Sequence, residues 1–485
     1  MALFSTATMF RVTQLPKGTQ RDVISQPGPI TKVPPEVIME IFKFTVLPSE
    51  GARSHGVKTL CLVNKDWNNI ANVTPDLWTK VTFACPLHAD QLSAAQKWLK
   101  VSKPKVIDVE IDLCDPSRDW FSQEDWHPLA DLAWLPDVIR ALRGSENRWR
   151  SFSIRSDTWS LIRELLRTWV IPSLPLLESI SLELSNEVLG LEYLQLVYGR
   201  SVELPILFGG AGTLMHKLRE VSLVSVPADW TPAATSFRNL RKLEIRNQHF
   251  INGPDFEQFA TILAASPRLE VLDISGYWPA SYILPIRTRI PFVHLPALKC
   301  LVLGWTRINF TCEFLRMFQI PDTLETLSLV DINVYQDEYS GLFAYDYPSP
   351  IFELLANLGS ADPRNRDFSS PWISTAGLKS LSVFWAECNS RTLIALLQGA
   401  PMIEEIRLTN ISQATLEGIV ALVETPCLRS LKRLYLRWVR DGGYESEEAR
   451  LVIDLLRGHG LQVVIEKFTG EDSGLTPIVD AERRS

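Results

Sequence analysis

The run Phe208-Gly209-Gly210-Ala211-Gly212-Thr213 has a composition that could do chemistry, because closely spaced glycines let backbone amides approach a phosphate. A nucleotide loop also needs a fixed glycine spacing closed by Lys-Ser or Lys-Thr. This run has neither, so it reads as a glycine-rich turn. No serine stands in a Gly-x-Ser-x-Gly elbow. The histidines, at 55, 88, 127, 216, 249, 294 and 459, make no His-x-x-x-His pair and no Cys-His cluster, so no metal or cofactor is expected. The acidic pairs Glu404-Glu405 and Asp337-Glu338 read as solvated charge. Cysteines at 61, 85, 114, 300, 312, 388 and 427 lack metal-ligand spacing, which points to reduced thiols in the cytoplasm or nucleus.

A second group of residues could do recognition rather than catalysis. Arg246, Phe384, Arg407, Tyr435 and Arg437 sit at alternate positions between or just after pairs of aliphatic residues. Trp305, Trp385 and Trp438 follow one place further on, and Tyr277 and Trp278 stand near the equivalent place of another copy. Tryptophan, tyrosine and arginine are the side chains most enriched at binding hot spots. The expectation is a substrate-binding band along one rim of a sheet. The competing expectation is that the tryptophans pack beneath the loops leaving each strand.

The elements that would hold this band are spelled by one recurring spacing: apolar, two residues, apolar, one residue, apolar. It appears at Val106-Val109-Ile111, Trp149-Phe152-Ile154, Leu177-Ile180-Leu182, Leu218-Val221-Leu223, Leu240-Leu243-Ile245 and Leu269-Leu272-Ile274. It continues at Leu298-Leu301-Leu303, Leu324-Leu327-Leu329, Leu378-Leu381-Val383, Ile403-Ile406-Leu408 and Leu431-Leu434-Leu436. The last two apolar residues of each copy are two apart, so on a strand they face one side. Such a strand cannot bury its face alone, but a stack shares one core.

Helices are expected between the strands, at 158–169, 255–265, 312–318, 351–358, 390–398, 414–423 and 446–457. Strand, loop and helix repeated in one direction give a parallel sheet with helices on its other side. The pattern resembles the leucine-rich repeat, though the asparagine usual in that family is mostly missing. The resemblance implies an α/β solenoid with parallel strands on the concave face and helices outside. The gap between Leu329 and Leu378 is too long for one repeat and predicts an insertion near 331–375.

Ahead of the repeats, Val33 to Trp78 has a different period. Pro34 and Pro35 suit the first turn of a helix. Val37, Ile38, Ile41 and Phe42 make a stripe at helical spacing, and Leu60, Val63, Trp67 and Ile70 make a second. A last short turn runs from Thr74-Pro75 to Leu77-Trp78. Pro34, Glu36, Ile41, Phe42, Leu60, Val63, Lys65, Trp67, Ile70, Ala71, Pro75, Leu77 and Trp78 together resemble the F-box. Thr45 stands where that family usually has leucine, and 48–56 reads as an inserted loop. The resemblance implies docking on a Skp-type linker protein and, through it, a cullin. Pro34, Pro35, Val37, Ile38, Ile41, Phe42, Leu60, Val63 and Trp67 are the residues expected to dock it. A free docking module should expose Ile41 and Phe42.

The expected organisation is a disordered leader over 1–30, the F-box-like helical module over 31–80 and a linker over 81–105 that begins with a strand-like Val81-Thr82-Phe83 and continues in a helix through Gln91 to Val101. The irregular leucine-rich-repeat-like solenoid then spans 106–468, and a disordered tail 469–485. The net charge of −7 argues against a general binder of nucleic acid or anionic membranes. No apolar run is long enough for a membrane span. The expected function is a non-catalytic substrate-recognition adaptor of a Skp–cullin–F-box type ubiquitin ligase, with an unknown protein substrate on the repeats. The alternative is a scaffold whose F-box-like hairpin only caps the solenoid.

Overall fold

The computed structural model describes residues 33–46, 53–102, 104–114, 134–168, 173–185, 215–226, 228–247, 253–276, 292–304, 308–330, 355, 372–384, 390–409, 419–420, 430–437 and 447–466. The chain divides into two compact units, Met1–Leu77 and Trp78–Ser485. The first is helical: α1 (Pro35–Val46), α2 (Arg53–Val63), α3 (Lys65–Asn72) and a 3-10 turn over Pro75–Trp78 that ends in the second unit.

The second unit is an α/β fold built on a 13-stranded sheet. Its strands are β1 (Lys80–Ala84), β2 (Ile107–Asp112), β3 (Trp149–Ser156), β4 (Ser179–Leu184), β5 (Glu220–Val224), β6 (Lys242–Arg246) and β7 (Val271–Ser275). After the two-residue β8 (Val293–His294) come β9 (Cys300–Gly304), β10 (Phe318–Ile320), β11 (Thr326–Val330), β12 (Trp372–Ile373), β13 (Ser380–Phe384), β14 (Glu405–Thr409), β15 (Arg433–Arg437) and β16 (Gln462–Glu466). All pairings in the large sheet are parallel, and its order follows the chain. β8, β10 and β12 leave it to form a separate three-stranded parallel sheet. The whole arrangement is that of a strand–helix repeat solenoid.

Each of the eleven copies of the sequence spacing lies on a strand of the large sheet. The physical device is the same in most of them. The amide of the first apolar residue donates to the carbonyl three residues earlier, closing a turn that points its side chain into the core. This occurs at Leu177 to Leu174, Leu218 to Met215, Leu269 to Ser266, Leu298 to Leu295, Leu378 to Thr375 and Ile403 to Ala400. The next two apolar residues then line one face, and with the helices they form one continuous core.

Two strands escaped the pattern for different reasons. β1 follows the same spacing as Trp78-Val81-Phe83, all three buried, but Trp78 also ends the helical motif. In β16 the position of the first leucine is taken by Gly460, in a left-handed conformation with φ 84°, while Val463 pairs with Leu434 and Ile465 with Leu436. In the copy at β2, Ile107 rather than Val106 is the buried first residue, because a bulge shifts the register there.

The helices correct several expectations. The stretch 81–105 carries β1 and α4 (Ala89–Val101), where the strand at 81–83 and the helix over 91–101 were expected. Two helices were missed: α5 (Leu135–Leu142) and α7 (Trp230–Ser236). α6 (Trp159–Thr168), α8 (Phe256–Ala264) and α10 (Ser390–Gln398) fall where expected, and α11 (Glu447–Gly458) within one residue of it. α9 spans Ile308–Leu315, so Phe318, expected to end a helix, begins a strand instead. Of the segments expected as helices at 351–358 and 414–423, only 355 and 419–420 are described. The leader and the tail lie outside the described residues, as does most of the insertion. β11 pairs directly with β13, so the insertion interrupts the chain without interrupting the ladder.

Candidate binding surfaces

In the helical unit, α1 starts at the proline pair as expected, with the amides of Val37 and Ile38 both donating to the Pro34 carbonyl. Ile38, Phe42 and Val46 recur every four residues and face inward. The Phe42 ring packs against Trp67 at 4.9 Å between centroids. The second stripe is not one helix. Asn64 interrupts it with extended backbone, and its side chain accepts from the Trp67 amide at 2.8 Å, capping α3. α2 begins at Arg53, so part of the expected loop 48–56 is helical. The Thr45 hydroxyl, where the family has leucine, donates to the Ile41 carbonyl at 2.7 Å.

The residues expected to dock the linker therefore separate into two sets. Pro34, Pro35, Val37, Ile41 and Val63 are exposed. Ile38, Phe42 and Leu60 are buried, and Trp67 is half-buried on Phe42, so these hold the module together. Ile41 is 49% exposed as expected; Phe42, at 1%, is not. Phe44 and Leu62 were missed although they are more open still, at 77% and 84%. Their signal was available: both are large apolar residues standing off the helical stripes. Lys43 links α1 to the final turn through Glu40 at 2.8 Å and Asp76 at 3.5 Å. Its pKa is raised, chiefly by the hydrogen bond to Glu40.

On the repeat unit, the residues between the inward aliphatic side chains fall into registered columns on the face away from the core. One column runs Ser222, Glu244, Asp273, Val302, Ser328, Ser382, Arg407, Tyr435 and Val464. Arg246, Phe384 and Arg437 belong to the next column. The structure thus places all five described members of the expected band on this face. Tyr277, Trp278, Trp305, Trp385 and Trp438 lie outside the described residues.

The face is electrostatically uneven. At β6 and β7, Arg246 donates to Asp273 through Nε at 2.9 Å and Nη2 at 2.5 Å, and lies 3.3 Å from Glu244. Lys242 lies 2.9 Å from Glu244. Two cations thus meet two carboxylates, and both carboxylates are buried. Burial works to raise the Glu244 pKa, but Lys242 and Arg246 outweigh it and hold it low. At Asp273 burial dominates the pull of Arg246, and the pKa is raised. Asp273 Oδ1 has no hydrogen-bond partner among the described residues.

At β14 and β15 the balance differs. Glu405, expected to be solvated, is buried and receives Arg407 at 2.6 Å and Arg433 at 3.2 Å. The Arg407 guanidinium lies 4.4 Å from the centre of the Tyr435 ring. Glu404 meets the expectation better: it is partly exposed and pairs with Lys432. Similar surface pairs join Glu270 to Lys299 and Glu325 to Lys379 along the same edge.

Among the described residues, no group of three or more His, Cys, Asp or Glu is placed to hold a metal ion. No helix among them is long and apolar enough to cross a membrane. Five described cysteines are free thiols, and burial pushes the Cys114 thiol up to about 12, beside Ser185. The glycine run 208–213 and the acidic pair at 337–338 lie outside the described residues. Comparison with protein-family models returned no match, and neither did comparison with curated proteins.

Proposed function

We propose that the chain is a substrate-recognition adaptor of a Skp–cullin–F-box type ubiquitin ligase. The helical unit docks a Skp-type linker, and the sheet face away from the core holds a protein substrate. The observation that carries this reading is the apolar surface of the helical unit. Val37, Ile41 and Phe44 on α1 and Leu62 and Val63 on α2 are exposed, although the unit has its own interior in Phe42 and Trp67. Large apolar side chains gathered on so small a unit are the anchors that protein interfaces use. The resemblance of the same stretch to the F-box names the partner. The adaptor would act by proximity, raising the concentration of substrate lysines near a charged conjugating enzyme.

The test is capture of a purified Skp-type linker by the full chain. Val37→Asp with Ile41→Asp should weaken capture at least roughly tenfold, as loss of interface anchors does. Because both residues are exposed, circular dichroism and melting temperature should stay unchanged. Full capture by this double variant removes the main support for the reading.

A further inference from the structure

We infer that the part of this face that captures protein is the β14–β15 surface around Arg407 and Tyr435, and that it takes an acidic segment of a partner, held by a carboxylate. This rests on the reading of the sheet face as the substrate-holding side.

Among the described residues, arginines on this face meet carboxylates at Arg155–Glu183, at β6–β7 and at β14–β15, and only the last group holds more cations than carboxylates. At β6–β7, Arg246 spends Nε and Nη2 on Asp273, and two cations are balanced by two buried carboxylates. An incoming anion would find no excess charge there. At β14–β15, Arg407 and Arg433 share the single carboxylate of Glu405, which leaves one positive charge in excess. Arg407 gives Glu405 only its Nε, and the Tyr435 ring supports its plane. Its two terminal nitrogens make no hydrogen bond among the described residues, so a fork of donors is held in place before any ligand arrives. Orienting a guanidinium in advance removes part of the entropy cost of binding.

The excess of one charge decides the kind of anion. A side-chain carboxylate carries one negative charge and matches it. A phosphate carries nearly two, and Glu405 lies directly behind Arg407 to repel the second. Val464 lies in register with Tyr435 on the neighbouring strand, and Phe384 stands one strand beyond Arg407. These give apolar footing for the residues beside the acid.

The test uses the full chain and three short fluorescein-labelled peptides: alternating glutamate and alanine, the same with glutamine for glutamate, and a glutamine peptide carrying one phosphoserine. The glutamate peptide should bind and weaken as salt rises; the glutamine peptide should not bind. Arg407→Lys keeps the charge beside Glu405 but loses the planar fork, and should weaken binding roughly tenfold. Arg433→Gln, at an exposed position, removes the second cation on Glu405 and should weaken it about threefold. Lys299→Gln removes positive charge beside Glu270, strands away from the site, and should leave binding within about twofold.

Binding by the Arg407 and Arg433 variants equal to that of the parent chain, or an equal loss in the Lys299 control, overturns the proposal. So does equal binding of the glutamine peptide. Binding of the phosphoserine peptide alone overturns the choice of carboxylate. Linker capture, measured on the same preparations, depends on the helical unit instead. Capture without peptide binding sinks this inference alone, and peptide binding without capture sinks the adaptor reading alone.

Discussion

Arg246 joins the two buried carboxylates of β6 and β7, and removing it leaves Asp273 buried with its nearest cation gone. Truncating one side of a buried pair costs about 3–5 kcal/mol, because the other charge stays in place unpaired. Arg246→Ala should lower the unfolding free energy, measured in urea, toward that range; a loss below about 1 kcal/mol, the worth of an exposed pair, would show that water reaches Asp273. The same cluster gives a signed pH effect. Glu244 has its folded pKa below its unfolded value, so its contribution is present above about pH 4.3 and is lost as pH falls through the folded value. Asp273, with its folded pKa raised, works the other way: its contribution is lost as pH rises through the folded value. Glu244→Gln should therefore be less sensitive to acid below about pH 4.3 than the parent chain, in melting curves taken across that range. The sequence placed Arg246 and Arg407 alike on the outer face from the period of two. It could not tell which was spent, because that depends on Asp273, one strand away in space and 27 residues away in the chain, and on whether Glu405, on Arg407's own strand, is shared with Arg433 from the next.

At the scale of the element, glycines and caps decide where strands and helices stop. Ser225, Asn247 and Gly276 each follow a strand, and all three have positive φ, of 57°, 52° and 114°. A Cβ on Gly276 would fall on the backbone of Asn247. Gly460 illustrates the sharper point. The repeat spacing asks for leucine there, yet φ is 84° and nothing lies near its missing side chain. Gly460→Leu should destabilise by about 1–2 kcal/mol of left-handed strain rather than restore the pattern. A thermal melt that rises would show the turn can refold around a leucine. Asn64→Ala should cost about 1 kcal/mol, the usual worth of an N-cap, and fray α3 first. Long periodic elements were legible because many residues repeat the same message. The break at Asn64 was hidden because Leu60, Val63, Trp67 and Ile70 keep helical spacing across it. β8, β10 and β12 are two or three residues long, too short for any period to show.

In the repeat unit as a whole, the strands of the large sheet lie side by side in chain order, with β8, β10 and β12 set aside in their own sheet. Stability in such an array is close to a sum of repeat terms and nearest-neighbour terms. β7 is paired on both sides, with β6 and β9, whereas among the described residues β16 is paired with β15 alone. Amide hydrogen exchange should thus be faster at 462–466 than at 271–275, with protection rising inward from the end. Uniform protection would mean that the unit opens all at once. The large-scale plan was legible because each copy of the spacing speaks for one strand. The chain divides into its two units between Leu77 and Trp78.

That boundary has a practical meaning. Trp78 closes the Pro-x-Leu-Trp turn and also fills the first rung of the sheet, with Trp98 at 5.5 Å and Lys97 above its ring. One side chain is spelled into two messages. A protease or a geneticist cutting the chain between Trp78 and Lys80 would hand it to the helical fragment, and the repeats would start from an empty socket beside Trp98. A cut before it would instead leave the helical fragment without the last letter of its motif. The two halves can be told apart, but they cannot both be taken whole.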